Sequence, residues 1–300
     1  MNDSIVERIA FANLPSNICA LSGQPIRDAA VMHRDLSDWW PSALLDMRDE
    51  RICNLLIVER QVRDDYYAKL KRVGVVLAFS GGLDSTTVLH WCIKVFGEVH
   101  CLLFDYGQKH AIEIDLAEKY LHNLMQEDGL GCAISFQRVD MSPINAMAAS
   151  ALTRDDIEVA SCRDVDDMAK DIPDTFVPGR NVYFITALAQ AAYTRGWRHV
   201  SMGVNVLDYS GYPDCRPEFL EPMRQALAVG VFNGQDLGVH APLMFLNKTQ
   251  IIRLGLHLGV QYEATHSCYN GVTGGCGTCD SCILRRRAFR ELGIDDPSIV

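Results

Sequence analysis

The chain has 300 residues, 48% of them hydrophobic and 22% charged, with a formal net charge of −10. This is the composition of an ordinary soluble globular protein, long enough to bury a substantial core, and its acidic balance argues against a general electrostatic grip on nucleic acid. No apolar run approaches the roughly 18 residues needed to cross a bilayer, and the N-terminus lacks a basic region followed by an apolar one, so a cytoplasmic protein is expected.

Residues 1–70 stand apart from the rest. Trp39-Trp40, the turn at Pro41-Ser42 and the charge-dense stretch 46–71 follow no regular alternation. Leu55, Ile57, Val58, Val62, Tyr66 and Leu70 fall roughly on one stripe, so 53–70 reads as an amphipathic helix. The expectation is a mainly helical extension that packs on the core or docks a protein partner.

From residue 75 the pattern changes. The runs 75–79 (VVLAF) and 99–104 (VHCLLF) are short, apolar and bounded by turns, which predicts buried strands. Between them 84–96 has helical spacing, making a parallel crossover unit. The alternation continues with helix over 110–127, strand over 133–139, helix over 181–195, strand over 199–204, and helices over 217–229 and 249–258. The prediction is an α/β fold with a doubly wound parallel sheet, covered on both faces and binding ligands at the carboxyl ends of its strands. Three parts are expected: the extension (1–70), the sheet domain (71–260) and a cysteine-bearing C-terminal segment (261–300).

The first predicted strand leaves through Ser80-Gly81-Gly82 and meets Asp84 where a helix begins. Adjacent glycines let successive N–H groups surround one anion, and the helix adds its own N–H groups and dipole. Ser80 and Ser85 can donate hydroxyl hydrogen bonds to phosphate oxygens. Asp84 would repel phosphate unless a cation lay between them, which suggests Mg2+. The stretch is not G-x-x-x-x-G-K-[ST], for no Lys follows its glycines. The alternative is a tight turn whose glycines merely fit the bend. The whole string S-G-G-x-D-S resembles the pyrophosphatase-type (PP-loop) turn of ATP-dependent adenylating enzymes, which implies ATP cleaved between its α and β phosphates.

Seven of the 11 cysteines (Cys19, Cys53, Cys92, Cys101, Cys132, Cys162, Cys215) are scattered singly, as small buried hydrophobes are in a reducing compartment. The other four, Cys268, Cys276, Cys279 and Cys282, crowd into 15 residues with glycines between them. Four thiolates close a tetrahedral structural Zn2+ site and leave no position for water. A disulfide, a redox pair and an iron–sulfur cluster are the rivals; the ferredoxin C-x3-C-P continuation is absent.

Together with these motifs, the strings FSGGLDSTT (79–87), LFDYGQKH (103–110), SALTRDDIEV (150–159), TFVPGRN (175–181), DYSGYPDCRPEF (208–219), APLMFLNKTQII (241–252) and SCYNG…GCGTCDSC (267–282) resemble the 7-cyano-7-deazaguanine synthases (the QueC family). The resemblance runs from about 73 to about 297 and leaves an N-terminal extension of about 70 residues as a departure. It implies an ATP-dependent ligase of the queuosine pathway that turns 7-carboxy-7-deazaguanine and ammonia into the 7-cyano base. It also implies one zinc per chain and a homodimer. A second reading keeps the site but hands the activated carboxylate to an amine on a protein docked by the extension, a role associated with antiviral defence among relatives. A third, from another class, is a nucleotide-binding regulator without turnover, against which the intact substrate strings argue.

The resemblance assigns Phe79, Ser80, Gly81, Gly82, Leu83, Asp84, Ser85, Thr86, Thr87, Val88 and Leu89 to the ATP site. Asp105, ending the second predicted strand, joins them to meet a ribose or the metal, or else caps the turn to Gly107. Arg180, beside Asn181, can hold a phosphate or the substrate carboxylate bidentately, or belong to a structural ion pair. Asp208, Tyr209, Tyr212, Asp214 and Arg216 combine ring stacking with acceptors for a guanine-like edge and are assigned to substrate. Lys248 either neutralises phosphate or starts its helix in solvent. His110 and His266 are read as structural, and no acid or base is assigned.

Overall fold

The computed structural model describes residues 5–9, 30–34, 44–46, 70, 72–108, 112–127, 129–142, 150–154, 156–162, 172–206 and 211–298. In the first 70 residues these are three strands, β1 (Ile5–Ile9), β2 (Ala30–Arg34) and β3 (Leu44–Asp46), paired antiparallel in that order. Where the sequence suggested a mainly helical extension, the described residues are extended, in short runs rich in the branched side chains that suit a pleated surface. The amphipathic stretch over 53–70 lies outside the described residues except for Leu70.

A second sheet is built from β4 (Gly74–Ala78), β5 (Glu98–Asp105), β6 (Ala133–Asp140), β7 (His199–Ser201) and β8 (Gly238–His240), all parallel, in the order β6-β5-β4-β7-β8. Its helices are α1 (Leu83–Val95), α2 (Ile112–Leu124), α3 (Arg180–Thr194), α4 (Pro217–Gly230), α5 (Lys248–His257) and α6 (Asp280–Glu291). The period of two along β4 decides which face each residue serves. Val75 and Leu77 join Leu89, Leu121, Ile251 and Phe289, from α1, α2, α5 and α6, in one core. Val76 points the other way, into a core with Ile185, Leu188 and Leu220 from α3 and α4. Both faces are covered, which is why β4 reads as an unbroken apolar run.

The strand order reverses between β4 and β7, and ligands in open α/β sheets sit at such a reversal, beyond the carboxyl ends of the strands. The predicted α/β doubly wound sheet is present, with two elements the sequence did not announce, β8 and α6. β7 stops at Ser201, short of the predicted 204, and the chain bends away over the carboxyl edge. Of the scattered cysteines, Cys92, Cys101 and Cys215 are buried as expected, whereas Cys132 is half-buried and Cys162 exposed. Cys19 and Cys53 lie outside the described residues. Among the described residues no helix is long and apolar enough to cross a membrane.

Candidate active site

Gly81 takes φ +71°, and a Cβ there would come within 2.9 Å of the Ala117 Cβ, so both conformation and space demand glycine. The turn it makes brings the Ser80 and Ser85 hydroxyls within 3.0 Å of each other. The Ser85 Oγ also accepts the Ser80 N–H at 3.2 Å and donates to the Gly82 carbonyl at 3.2 Å. Across the strand reversal, Gly203 follows β7 and passes so close that a Cβ would lie 3.1 Å from the Ser85 nitrogen. The start of α1 is thereby wedged against the exit of β7.

Asp84, in the first turn of α1, meets Lys248, the first residue of α5, whose Nζ donates to both carboxylate oxygens at 2.9 Å. α5 begins at a capping box in which Asn247 and Gln250 satisfy each other's backbone N–H groups, which fixes where Lys248 starts. From the C-terminal segment, the His266 N–H donates to the Gly81 carbonyl at 3.1 Å, and the Ser267 Oγ accepts the Leu83 N–H at 3.3 Å. That segment is held in turn by buried Arg285, which donates to Asp296 at 2.8 Å, Thr265 Oγ1 at 2.7 Å and the Tyr262 carbonyl at 2.9 Å.

A cavity of about 320 Å3 opens between this turn and the start of α3. In its wall Arg180 follows Gly179, which holds φ +79°. The guanidinium lies 5.6 Å from the Tyr106 ring centre, 5.9 Å from Phe184 and 6.0 Å from Tyr212, a cation boxed by aromatic faces. Its Nε is buried without a hydrogen-bond partner. Asn181 is buried behind it, its amide donating to the Asp214 carbonyl at 3.2 Å. Burial pushes the Asp214 carboxyl up, against the downward pull of Arg180. The Tyr212 hydroxyl and Thr175 Oγ1 are 2.6 Å apart, which fixes that ring.

Phe79, Ser80, Gly82, Leu83, Asp84, Ser85, Arg180, Asn181 and Tyr212 therefore line one cavity. Other predicted site residues fall elsewhere. Thr86, Thr87, Val88 and Leu89 are fully buried as α1 turns inward, with the Thr87 hydroxyl bonded to the Leu83 carbonyl and the Tyr262 hydroxyl. Asp105 pairs with Arg138 at 2.6 Å. Arg216 is exposed at the start of α4, and Asp214 lies one step behind the wall. Asp208 and Tyr209, like His110, lie outside the described residues. Glu113, a wall residue in the first turn of α2, had no assigned role, and Lys248, weighed between phosphate and solvent, lines the cavity with its ammonium on Asp84. Helix starts at the carboxyl edge of a parallel sheet were the available signal for both.

Below the cavity, the sulfurs of Cys268, Cys276, Cys279 and Cys282 all lie within 4.8 Å of one another. A tetrahedral ion with metal–sulfur bonds of about 2.3 Å sets its four sulfurs roughly 3.8 Å apart, so this cradle fits a single ion. Burial opposes ionisation of Cys276, but the Thr278 hydroxyl and the N–H groups of Thr278 and Cys279 outweigh it and hold the thiol down at about 5. Burial raises Cys268, and a hydrogen bond with Cys282 raises Cys279, so without a metal the negative charge of the cluster gathers on Cys276.

The comparisons agree with this geometry. A model of the QueC family, described as queuosine biosynthesis protein QueC, matches residues 74–293. The 7-cyano-7-deazaguanine synthase of Thermoplasma acidophilum is 44% identical over 230 residues, covering 76% of this chain and 92% of that protein. Those of Trichodesmium erythraeum and Myxococcus xanthus are each 42% identical, covering 74% of this chain and 98% and 95% of their own lengths. The first 70 residues lie outside the family match, and these names give no support to a protein amine as the acceptor. With the phosphate-type turn, the strand reversal and the cysteine cradle all inside the matched span, this chain belongs to the QueC family.

Proposed function

We propose that this chain is an ATP-dependent carbon–nitrogen ligase that converts 7-carboxy-7-deazaguanine and ammonia to 7-cyano-7-deazaguanine. The observation that carries this reading is a single cavity lined both by the Ser80–Ser85 turn and by ring-boxed Arg180. A carboxylate is a poor electrophile because it is already anionic. Adenylation gives one oxygen a leaving group, ammonia displaces AMP to form an amide, and the same activation of the amide oxygen followed by its loss leaves the nitrile. Both rounds use one phosphate grip and one dry pocket.

In this reading the N–H groups about Gly81 and Gly82, with the hydroxyls of Ser80 and Ser85, hold the phosphates. Asp84 would hold Mg2+, which would supply neutralisation of the charge on the phosphates, with Lys248 beside it as a second positive charge. Arg180 holds the substrate carboxylate, and the Tyr212 and Phe184 faces hold the bicyclic base. The four cysteines hold one structural Zn2+ that fixes the segment carrying His266 and Ser267. A homodimer in the cytoplasm is the setting that the family resemblance implies.

The test is incubation with 7-carboxy-7-deazaguanine, MgATP and ammonia, with products followed by mass spectrometry. The expected outcome is the cyano base with one AMP and one pyrophosphate for each carboxylate oxygen removed. Substrate-dependent pyrophosphate release that stops at the amide, or none at all, overturns the reading.

A further inference from the structure

The reaction proposed above removes one proton from the nitrogen as the amide forms and two more as the nitrile forms, and the residues that grip phosphate and carboxylate do not provide for it. Asp84 is tied to Lys248 at 2.9 Å, and Asp214 lies behind the cavity wall against Asn181. Of the carboxylates that line the cavity, Glu113 remains. It stands in the first turn of α2 and lines the cavity with Arg180, Tyr106 and Phe184, with Arg180 and Tyr106 as its electrostatic neighbours.

We propose that Glu113 is the general base of the amination, accepting protons from the substrate nitrogen next to the carboxyl group held by Arg180. As ammonia attacks the acyl adenylate, the C–N bond forms and the C–O bond to AMP breaks, AMP leaving with the electron pair. The nitrogen sheds one proton to the Glu113 carboxylate, which returns it to solvent before the second round. There the amide oxygen bonds to the α phosphorus of a second ATP as pyrophosphate leaves. The nitrogen then sheds its two remaining protons through the same carboxylate in turn, the first giving the neutral O-adenylated imidate and passing on to solvent, the second leaving as the triple bond forms and AMP departs with the C–O electron pair. One base serves both rounds because the nitrogen stays in place.

The surroundings suit this work. Burial pushes the Glu113 carboxyl up to about 7, against the pull of Arg180. A base with that value is ionised and competent near neutral pH. The other titratable groups lining the cavity are Arg180, Tyr106, Tyr212, Tyr269, Cys215, Asp84, Lys248, His266 and Arg285. Burial raises Tyr106 and Tyr212 above their ordinary range, leaving them protonated at neutral pH.

The inference rests on the proposed reaction, and its test separates the two. Glu113→Gln keeps shape and removes proton affinity. In the full-length, metal-loaded protein, this variant should release pyrophosphate on addition of 7-carboxy-7-deazaguanine at the wild-type rate. Ammonia-dependent amide and nitrile formation should fall by about 10²–10⁴-fold. At a fixed concentration of free NH3 the wild-type rate should drop as pH falls through about 7, and that limb should vanish in the variant. Hydroxylamine, whose adduct is the stronger acid and sheds its proton to water, should narrow the defect, and Glu113→Asp should restore part of the ammonia rate. An amination rate within threefold of wild type, or equal losses in pyrophosphate release and amination, overturns the assignment. Wild type that releases no pyrophosphate removes the reaction itself, and this inference with it.

Discussion

The Lys248 Nζ lies 2.9 Å from both carboxylate oxygens of Asp84, although 164 residues separate them in sequence. With only 15% and 28% of the two side chains exposed, the contact is more than a surface ion pair. It joins the starts of α1 and α5 at the mouth of the cavity. Lys248→Met leaves an acid facing the triphosphate without its counter-charge, so substrate-dependent pyrophosphate release should fall by about 10²-fold or more. Asp84→Asn should do similar damage, and the double variant should lose less than the product of the two. Circular dichroism should show the fold retained. A Lys248→Met protein with wild-type pyrophosphate release would show that Lys248 merely starts its helix.

Arg285 and Asp296 form a second ion pair, 2.8 Å apart with side chains only 5% and 3% exposed. The guanidinium also ties Thr265 and the Tyr262 carbonyl, so it anchors the segment that reaches the phosphate-type turn through His266 and Ser267. Removing one partner of such a pair strands the other charge in the interior at a cost of about 3–5 kcal/mol. Arg285→Met should therefore lower the melting temperature by roughly 10 °C. Arg285→Met with Asp296→Leu should recover part of that loss. A single variant melting like wild type refutes the anchor.

Cys279 caps α6, belongs to the sulfur cradle and pairs through its backbone with Ser161, so its metal would join three segments. Binding energy at a structural site is folding energy. Cys279→Ser should reduce both soluble yield and metal per chain, and chelation should lower the melting temperature of the wild type. One zinc per chain and unchanged melting in the variant would contradict the structural role.

These contacts mark where the sequence was legible and where it was not. Apolar runs bounded by turns located β4 and β5, since strands buried on both faces need unbroken hydrophobicity. The Gly81 turn was legible because positive φ and close packing leave few residue choices. α6 was not, because Arg285-Arg286-Arg287 reads as a solvated charge run, while the fold takes the first of the three inside to meet Asp296. β8 is three residues long, too short for a periodic signal. The ATP-site string ran to Leu89, but a helix carries successive residues away from a turn within one revolution, and Thr86 to Leu89 enter the core. Pairings such as Asp84 with Lys248 belong to tertiary structure, which local pattern cannot display.

A last consequence concerns acid stability. His199 Nδ1 and His240 Nε2 are 3.1 Å apart, so one donates and the other accepts, and both rings pack against Phe96. Burial pushes His240 down to about 3, with His199 adding to the fall, and burial lowers His199 as well. Burial likewise holds His100, beside Arg195, down at about 4. A folded-state value below the unfolded 6.5 means that the unfolded chain takes up the proton first as pH drops. The stability is therefore complete above about 6.5 and lost progressively toward the folded values. Urea unfolding at pH 7.5 and at pH 5 should differ by an amount on the order of 1 kcal/mol for the half-buried His240 alone. His240→Gln, whatever it costs at neutral pH, should flatten the dependence by up to one proton. Equal stability of the wild type at the two pH values, or an unchanged slope in the variant, would show that the pair does not stay neutral in the fold.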